Sequence, residues 1–168
     1  FATGGWKDGK ECSTDVEMYS DARNEWTILP KMNVGRRLLG AVSVLKNNSS
    51  SSDYSLYVFG GQIDNSNHLG FEEGAVPNGW VTGAVERFDS QQNTWTRMKD
   101  MPIKGMTSAI CVKNSFIYVI VHGAAVYRYF TDRDDYIRVA TLPLPHWYCF
   151  DVCAFGSKIF FTGGSVNG

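Results

Sequence analysis

Apolar and polar positions along this chain come in short alternating blocks. Residues 38–45, 55–59, 107–112, 116–121, 150–155 and 158–162 are apolar or β-prone runs of strand length. Between them lie briefer runs at 15–19, 84–88 and 125–129. Each is followed by a cluster of turn formers and a second run, at 26–29, 95–98 and 136–141. Runs this short, rich in Val, Ile, Tyr, Phe and Thr and bounded by Gly, Asn, Asp and Ser, predict β-strands and not helices. Two stretches interrupt the pattern: a Ser-rich insert at 47–53 and a connector at 62–83, long enough to point to function or disorder.

The blocks repeat. Tyr19, Phe88 and Tyr129 are each followed, seven positions on, by Trp26, Trp95 and Tyr136. Six residues beyond the second aromatic stands an apolar connector residue: Met32, Met101 and Leu142. Glycine pairs close an inner strand at Gly60-Gly61 and Gly163-Gly164. Gly4-Gly5 opens the chain, and His122-Gly123 holds the equivalent place in one unit. From the outer aromatic to this position is 27 residues in two units and 34 in the first, and the excess of seven is the insert 47–53. Four short strands per tandem repeat describe blades of a β-propeller. The expected fold is therefore all-β, a partial propeller of four-stranded antiparallel blades forming one domain over 1–168. Its units fall at about 1–45, 54–112, 116–155 and a partial 158–168. One blade cannot bury both of its faces, so Tyr19, Trp26, Phe88 and Trp95 are expected to fill the spaces between blades.

These residues resemble the Kelch repeat: a glycine pair ending the second strand, a Glu-x-Tyr/Phe third strand, and a Trp seven residues after that aromatic. Gly4-Gly5, Glu17-Met18-Tyr19 and Trp26 fit it, as do Gly60-Gly61, Glu86-Arg87-Phe88 and Trp95. The third unit departs, with His122 in the glycine pair, Tyr127 for Glu and Tyr136 for Trp. The resemblance covers essentially the whole chain and implies a ring of about six blades, whereas three repeats do not close one. A segment of a longer repeat array is the expectation. The Met-containing connectors look most like the BTB–Kelch group. That likeness implies a protein-binding, substrate-recognition module of a cullin-type ubiquitin ligase adaptor in the cytoplasm, with the cullin reached through a BTB domain outside this chain. An actin- or cytoskeleton-associated Kelch scaffold is the alternative binding role. A Kelch-like enzyme of the copper-oxidase type is the alternative from another class.

Charge and chemistry narrow this. With 16 basic and 17 acidic residues the chain carries no field that would favour nucleic acid or an acidic membrane, and no apolar run reaches the roughly 20 residues of a membrane helix. Cys12, Cys111, Cys149 and Cys153 show no CxxC spacing. On a strand, Cys149 and Cys153 stand about 13 Å apart, too far to bridge, so reduced thiols are expected. The three histidines have no metal-ligand spacing, and nucleophile-elbow and phosphate-loop motifs are absent. Neither an enzyme nor a metal or cofactor site is expected.

Strand parity locates the candidate surface. Within a blade of strands a to d, the b–c and d–a connections share one rim, and the a–b and c–d turns share the other. Residues 30–37, 62–83, 99–106, 122–124 and 142–148 therefore fall together, and the insert 47–53 falls opposite. The shared rim collects Arg36, Arg37, Phe71, Trp80, Lys104, His122, His146, Trp147 and Tyr148, together with His68, Glu72 and Glu73. Aromatic and Arg side chains on loops are the usual material of protein-binding hot spots. In Kelch adaptors an Arg in this d–a position reads acidic groups on a partner, and Arg36 or Arg37 matches it by register. Either residue could instead bridge to a neighbouring blade, and Trp147 and Tyr148 could pack between blades.

Overall fold

The computed structural model describes residues 1–8, 11–46, 53–64, 80–113, 116–121, 125–142, 147–156 and 158–166, with backbone alone at 80, 108–113, 147–150 and 163–166. Strand β1 (Ala2–Thr3) is followed by a small hairpin of β2 (Trp6–Lys7) and β3 (Glu11–Cys12), then by β4 (Val16–Ser20) and β5 (Glu25–Leu29). The first sheet has the order β1-β4-β5. The second is built from β6 (Gly40–Leu45), β7 (Tyr54–Phe59), β10 (Val85–Asp89) and β11 (Thr94–Met98). A second small hairpin, β8 (Gln62–Ile63) with β9 (Trp80–Val81), lies between β7 and β10. The third sheet joins β12 (Thr107–Lys113), β13 (Phe116–Val121), β14 (Ala125–Phe130) and β15 (Asp135–Thr141). The fourth pairs β16 (Trp147–Phe155) with β17 (Lys158–Val166). All pairings are antiparallel and follow chain order within each sheet, with hairpins β2–β3 and β8–β9 standing between β1 and β4 and between β7 and β10; inner strands β6, β12 and β16 lie beside one another in turn. Stacked four-stranded meanders of this kind are propeller blades.

Strand alternation explains the stacking. On β7, Leu56 and Val58 face the first sheet and join Val16, Met32 and Phe88; Tyr57 and Phe59 face the third and join Met101, Ile117, Val119 and Tyr129. On β13, Ile117, Val119 and Val121 look back to the second sheet. Ile120 looks on to the fourth, where Val152 meets it. A central blade thus buries both faces, each large side chain contributing about 1.5–3 kcal/mol. Met32 and Met101 are buried, and Leu142 packs on the last of these clusters, so the connector position six beyond the aromatic is a core position.

The repeated aromatics are cross-strand pairs: Tyr19 opposite Trp26, Phe88 opposite Trp95, Tyr129 opposite Tyr136. Their ring centroids lie 5.4, 5.4 and 4.8 Å apart. Two residues before each outer aromatic the turn ends in a left-handed residue, Asn24, Asn93 or Asp134 (φ 52°, 54° and 48°). Asn and Asp tolerate that conformation. The Trp95 indole N–H donates to the Pro30 carbonyl of the preceding blade at 2.7 Å, and the Tyr136 hydroxyl donates to Lys99 O at 3.0 Å. Pro30 and Lys99 hold the same place in their units, four residues after the aromatic, so Tyr substitutes for Trp by reaching the equivalent acceptor.

Several expectations need correction. Phe88 and Trp95 fill an inter-blade space, but Tyr19 and Trp26 are exposed, because among the described residues no sheet covers their face. The run 38–45 is not a wholly buried strand. β6 begins at Gly40, and Leu38 is exposed with φ 50° while its carbonyl accepts from Thr107 N at 3.2 Å. Because Gly40–Leu45 is hydrogen-bonded in the second sheet, a unit boundary at 45 cuts through that sheet. Trp147 and Tyr148 open strand β16 instead of lying in the connector, and β17 runs through Gly163-Gly164 to pair as far as Val166. The earlier glycine pairs turn away because a third strand and the outgoing connector hold them. No third strand pairs with β17 among the described residues.

Candidate protein-binding rim

The glycine pairs organise one end of the blades. Gly4 and Gly5 have φ of 63° and 111°, and Gly60 and Gly61 of 56° and 98°. In each pair the second glycine donates to the outgoing connector, Gly5 N to Arg36 O at 2.9 Å and Gly61 N to Gly105 O at 3.0 Å. A Cβ at Gly4 would stand 2.3 Å from Arg36 O, so only glycine lets the connector fold back this closely. Directly after each pair rises a hairpin, β2–β3 or β8–β9. The two are tied together: the Cys12 N–H donates to the Asp64 carboxylate at 2.5 Å, the Cys12 thiol to Gln62 O at 3.5 Å, and Arg37 and Gln62 exchange backbone hydrogen bonds. Burial first, then the hydrogen bond to Asp64, pushes the Cys12 thiol up to about 11. It is an unreactive structural group.

Arg36 does not belong to an exposed surface. It is wholly buried, its guanidinium paired with Glu86 of the next blade, itself wholly buried. Arg36 also donates to the carbonyls of Ala84 (2.8 Å), Gly60 (3.2 Å) and Val34 (3.3 Å). Glu86 Oε2 accepts from Asn33 N at 2.8 Å and Asn33 Nδ2 at 2.7 Å, and Oε1, which pairs with Arg36, also accepts from Val34 N at 3.3 Å. The connector of the first blade is thereby clamped to the third strand of the second. Burial alone would push the Arg36 charge off; Glu86 opposes this. A rim role for Arg36 is overturned by its position: every face of the guanidinium is taken up inside the protein.

Arg37, one residue on, lies half-buried at the rim with its guanidinium 3.4 Å from the centre of the Trp6 ring. Trp6 itself is 44% exposed, on hairpin β2–β3. Exposed apolar side chains Leu38 and Ile103 and the exposed Lys104 belong to the same connectors. Nearby, Asp15 takes hydrogen bonds from the Ser13 hydroxyl and Lys31, which hold its carboxyl below the ordinary range. Of the other candidates, Trp80, Trp147 and Tyr148 are placed by backbone only, Trp80 opposite Ile63 and Trp147 opposite Val166. Phe71, His122 and His146, with His68, Glu72 and Glu73, lie outside the described residues.

Sequence reasoning passed over Trp6. It follows a glycine pair directly and so sits in a b–c connection, which the parity argument assigns to this rim. Sequence reasoning also missed the partner of Arg36. The signal was present: where the third unit has Tyr127 in place of Glu86, the second has Gly105 in place of Arg36, so both halves of the clamp are absent together.

Among the described residues there is no group of three His, Cys, Asp or Glu arranged to hold a metal, and no helix long and apolar enough to cross a membrane.

The stacked meanders, paired glycines and rim hairpins define a β-propeller segment. Comparison agrees: the structure of YjhT superposes with a TM-score of 0.66 at 17% identity, over 96% of this chain and 55% of that one. Residues 1–33 match the Kelch motif. Human Kelch repeat and BTB domain-containing protein 2 is 32% identical over 80 residues, 48% of this chain and 12% of that protein. Human Kelch-like protein 38 is 24% identical over 200 residues, covering 96% of this chain. The chain is thus similar to Kelch-repeat proteins of the BTB–Kelch type, with the Kelch motif itself matched at its first repeat. It spans 34% of the length of Kelch-like protein 38.

Proposed function

We propose that this Kelch segment recognises a protein partner through the rim that carries β2–β3 and β8–β9, as the substrate-recognition part of a cullin-type ubiquitin ligase adaptor in the cytoplasm. The observation that carries the reading is Trp6, exposed yet stacked against the Arg37 guanidinium at 3.4 Å. An anchored aromatic beside an Arg offers contact area at little entropic cost, and Trp and Arg are the residues most enriched at binding hot spots. Two further features support it: the neighbouring connectors expose Leu38, Ile103 and Lys104, and the relatives are named for Kelch and BTB domains. The cullin contact belongs to a BTB domain outside these residues.

The test is affinity purification of the natural full-length polypeptide with rim substitutions Trp6→Ala and Lys104→Glu, against Gln92→Ala on a c–d turn. Loss of the same partner from both rim variants, with retention by the turn variant, is expected. Equal capture by all three overturns the rim. Recovery of a cullin that survives the rim substitutions supports the adaptor step, and its absence from the wild-type eluate overturns that step alone.

A further inference from the structure

At the end of the blades away from the glycine pairs, the third sheet departs from the second. In the second sheet the residue after Phe88 is Asp89, opposite Ser55, and both are buried. Asp89 closes that end: it accepts from Lys46 Nζ at 2.7 Å and from the turn N–H groups of Gln91 and Gln92 at 3.0 and 3.2 Å. In the third sheet the same register holds Phe130, after Tyr129, with Phe116 opposite it, since Ile117 pairs with Tyr129. Their rings meet edge to face with centroids 5.9 Å apart. With no carboxylate at this position, cations gather on the rings. The Arg128 guanidinium carbon lies 4.0 Å from the centre of Phe116 and 4.7 Å from that of Phe130. The guanidinium carbon of Arg133, in the c–d turn where the second sheet has Gln92, lies 4.0 Å from the centre of Phe130.

Stacking on a ring orients a guanidinium without neutralising it. Among the described residues neither Arg has an ion pair, and the Arg128 Nε is buried with no hydrogen-bond partner. The carboxylates of the turn do not supply one. Asp134 accepts from the Tyr129 hydroxyl at 2.7 Å and from Lys99 N at 2.8 Å, and Asp135 from the Lys99 ammonium at 2.6 Å. Exposed Phe155 and Lys158, at the β16–β17 turn, add a further aromatic and a further cation to this end. Two like charges on one ring with no counter-charge repel each other, and a bound anion relieves that cost. We propose that this cluster docks an acidic segment of a partner protein. Arg128 and Arg133 each take a carboxylate, whose planar shape matches the guanidinium fork, and Phe116 and Phe130 pack against the segment between them. A nucleic acid does not fit, because Asp132, Asp134 and Asp135 in the same turn repel a polyanion, and 16 basic against 17 acidic residues give the chain no field to offset them. The site lies at the opposite end of the blades from Trp6 and Lys104, so it stands apart from the rim reading.

The experiment titrates a fluorescein-labelled oligoglutamate peptide against the natural full-length polypeptide at low salt and reads fluorescence anisotropy, with oligolysine as the control peptide. Binding of oligoglutamate and not of oligolysine is expected. Arg133→Ala should weaken it about fivefold, the upper range of one exposed ion pair, with an unchanged melting temperature. Phe130→Asp, which restores the residue of the second sheet, should weaken it further, and Lys104→Glu at the other end should leave it unchanged. Phenylglyoxal labelling read by peptide mass spectrometry should mark Arg133 in the free polypeptide and spare it when the peptide is bound. No binding by the wild type, or equal binding by Arg133→Ala, overturns the proposal. So does a loss confined to Lys104→Glu, which would put the peptide on the other rim. An Arg133 that resists phenylglyoxal with no peptide present also overturns it, since the cover would then be part of the same polypeptide. Displacement of the peptide by oligothymidylate at lower concentration than by unlabelled oligoglutamate overturns it too, in favour of a phosphate backbone.

Discussion

Replacing Glu86 by Ala removes one half of a buried ion pair and leaves the other half in place. Arg36 then keeps its charge inside the protein with only the carbonyls of Ala84, Gly60 and Val34 to satisfy it, while Asn33 and Val34 lose their acceptor. Breaking a buried pair in this way costs about 3–5 kcal/mol. At roughly 2–4 °C per kcal/mol for a domain of this size class, the melting temperature should fall by about 6–20 °C. The cost falls on blade-to-blade contact, because the pair joins residues 50 positions apart on neighbouring sheets. Arg36→Met should lose a comparable amount through the stranded carboxylate. The double replacement, Arg36→Met with Glu86→Leu, should be far less damaging than the sum, since two apolar groups leave no charge uncompensated. Urea unfolding of the full domain followed by tryptophan fluorescence reads this as shifts in midpoint at constant slope. A Glu86→Ala loss below about 1 kcal/mol, the range of an exposed pair, or strict additivity in the double replacement, would refute the clamp.

Three further outcomes are expected. Native protein treated with a thiol reagent at neutral pH should modify the exposed Cys153 and spare Cys12, whose buried thiol is pushed up to about 11; rapid labelling of Cys12 without unfolding would contradict the hairpin packing. Gly60→Ala should destabilise more than Gly156→Ala. Both sites have positive φ, but a Cβ at Gly60 would meet Thr107 Oγ1 at 2.4 Å and Gly105 O at 2.7 Å, whereas at Gly156 it meets open space; thermal melts of the two variants decide. Asp89 is held below the ordinary carboxylate range first by the hydrogen bond from Lys46. Its contribution is therefore present above that range and lost as pH falls through the lowered value. Asp89→Asn should flatten the acid limb of a stability–pH profile, and an unchanged limb would remove Asp89 from that role.

The repeat was legible in the sequence because it is local. Tyr19 with Trp26, Phe88 with Trp95 and Tyr129 with Tyr136 pair across single hairpins, and spacing along the chain records that directly. Met32, Met101 and Leu142 were visible for the same reason. The small hairpin β8–β9 was not, since its strands are two residues each and lie at opposite ends of a long connector. Arg36 and Arg37 show the sharper limit. Adjacent residues of the same type leave the rim in opposite directions, one into the blade interface and one onto Trp6, and no periodicity says which. Their difference is set by a partner, Glu86, that only the stacking of blades brings into reach.

Trp6 separates the binding surface from the scaffold most directly. A photo-crosslinking residue placed at Trp6 of the full-length polypeptide, with the same residue at Gln92 on the c–d turn as reference, reports which end of the blades a partner touches. The rim reading expects a discrete partner adduct from position 6 and none from position 92. An adduct from position 92 alone would contradict it.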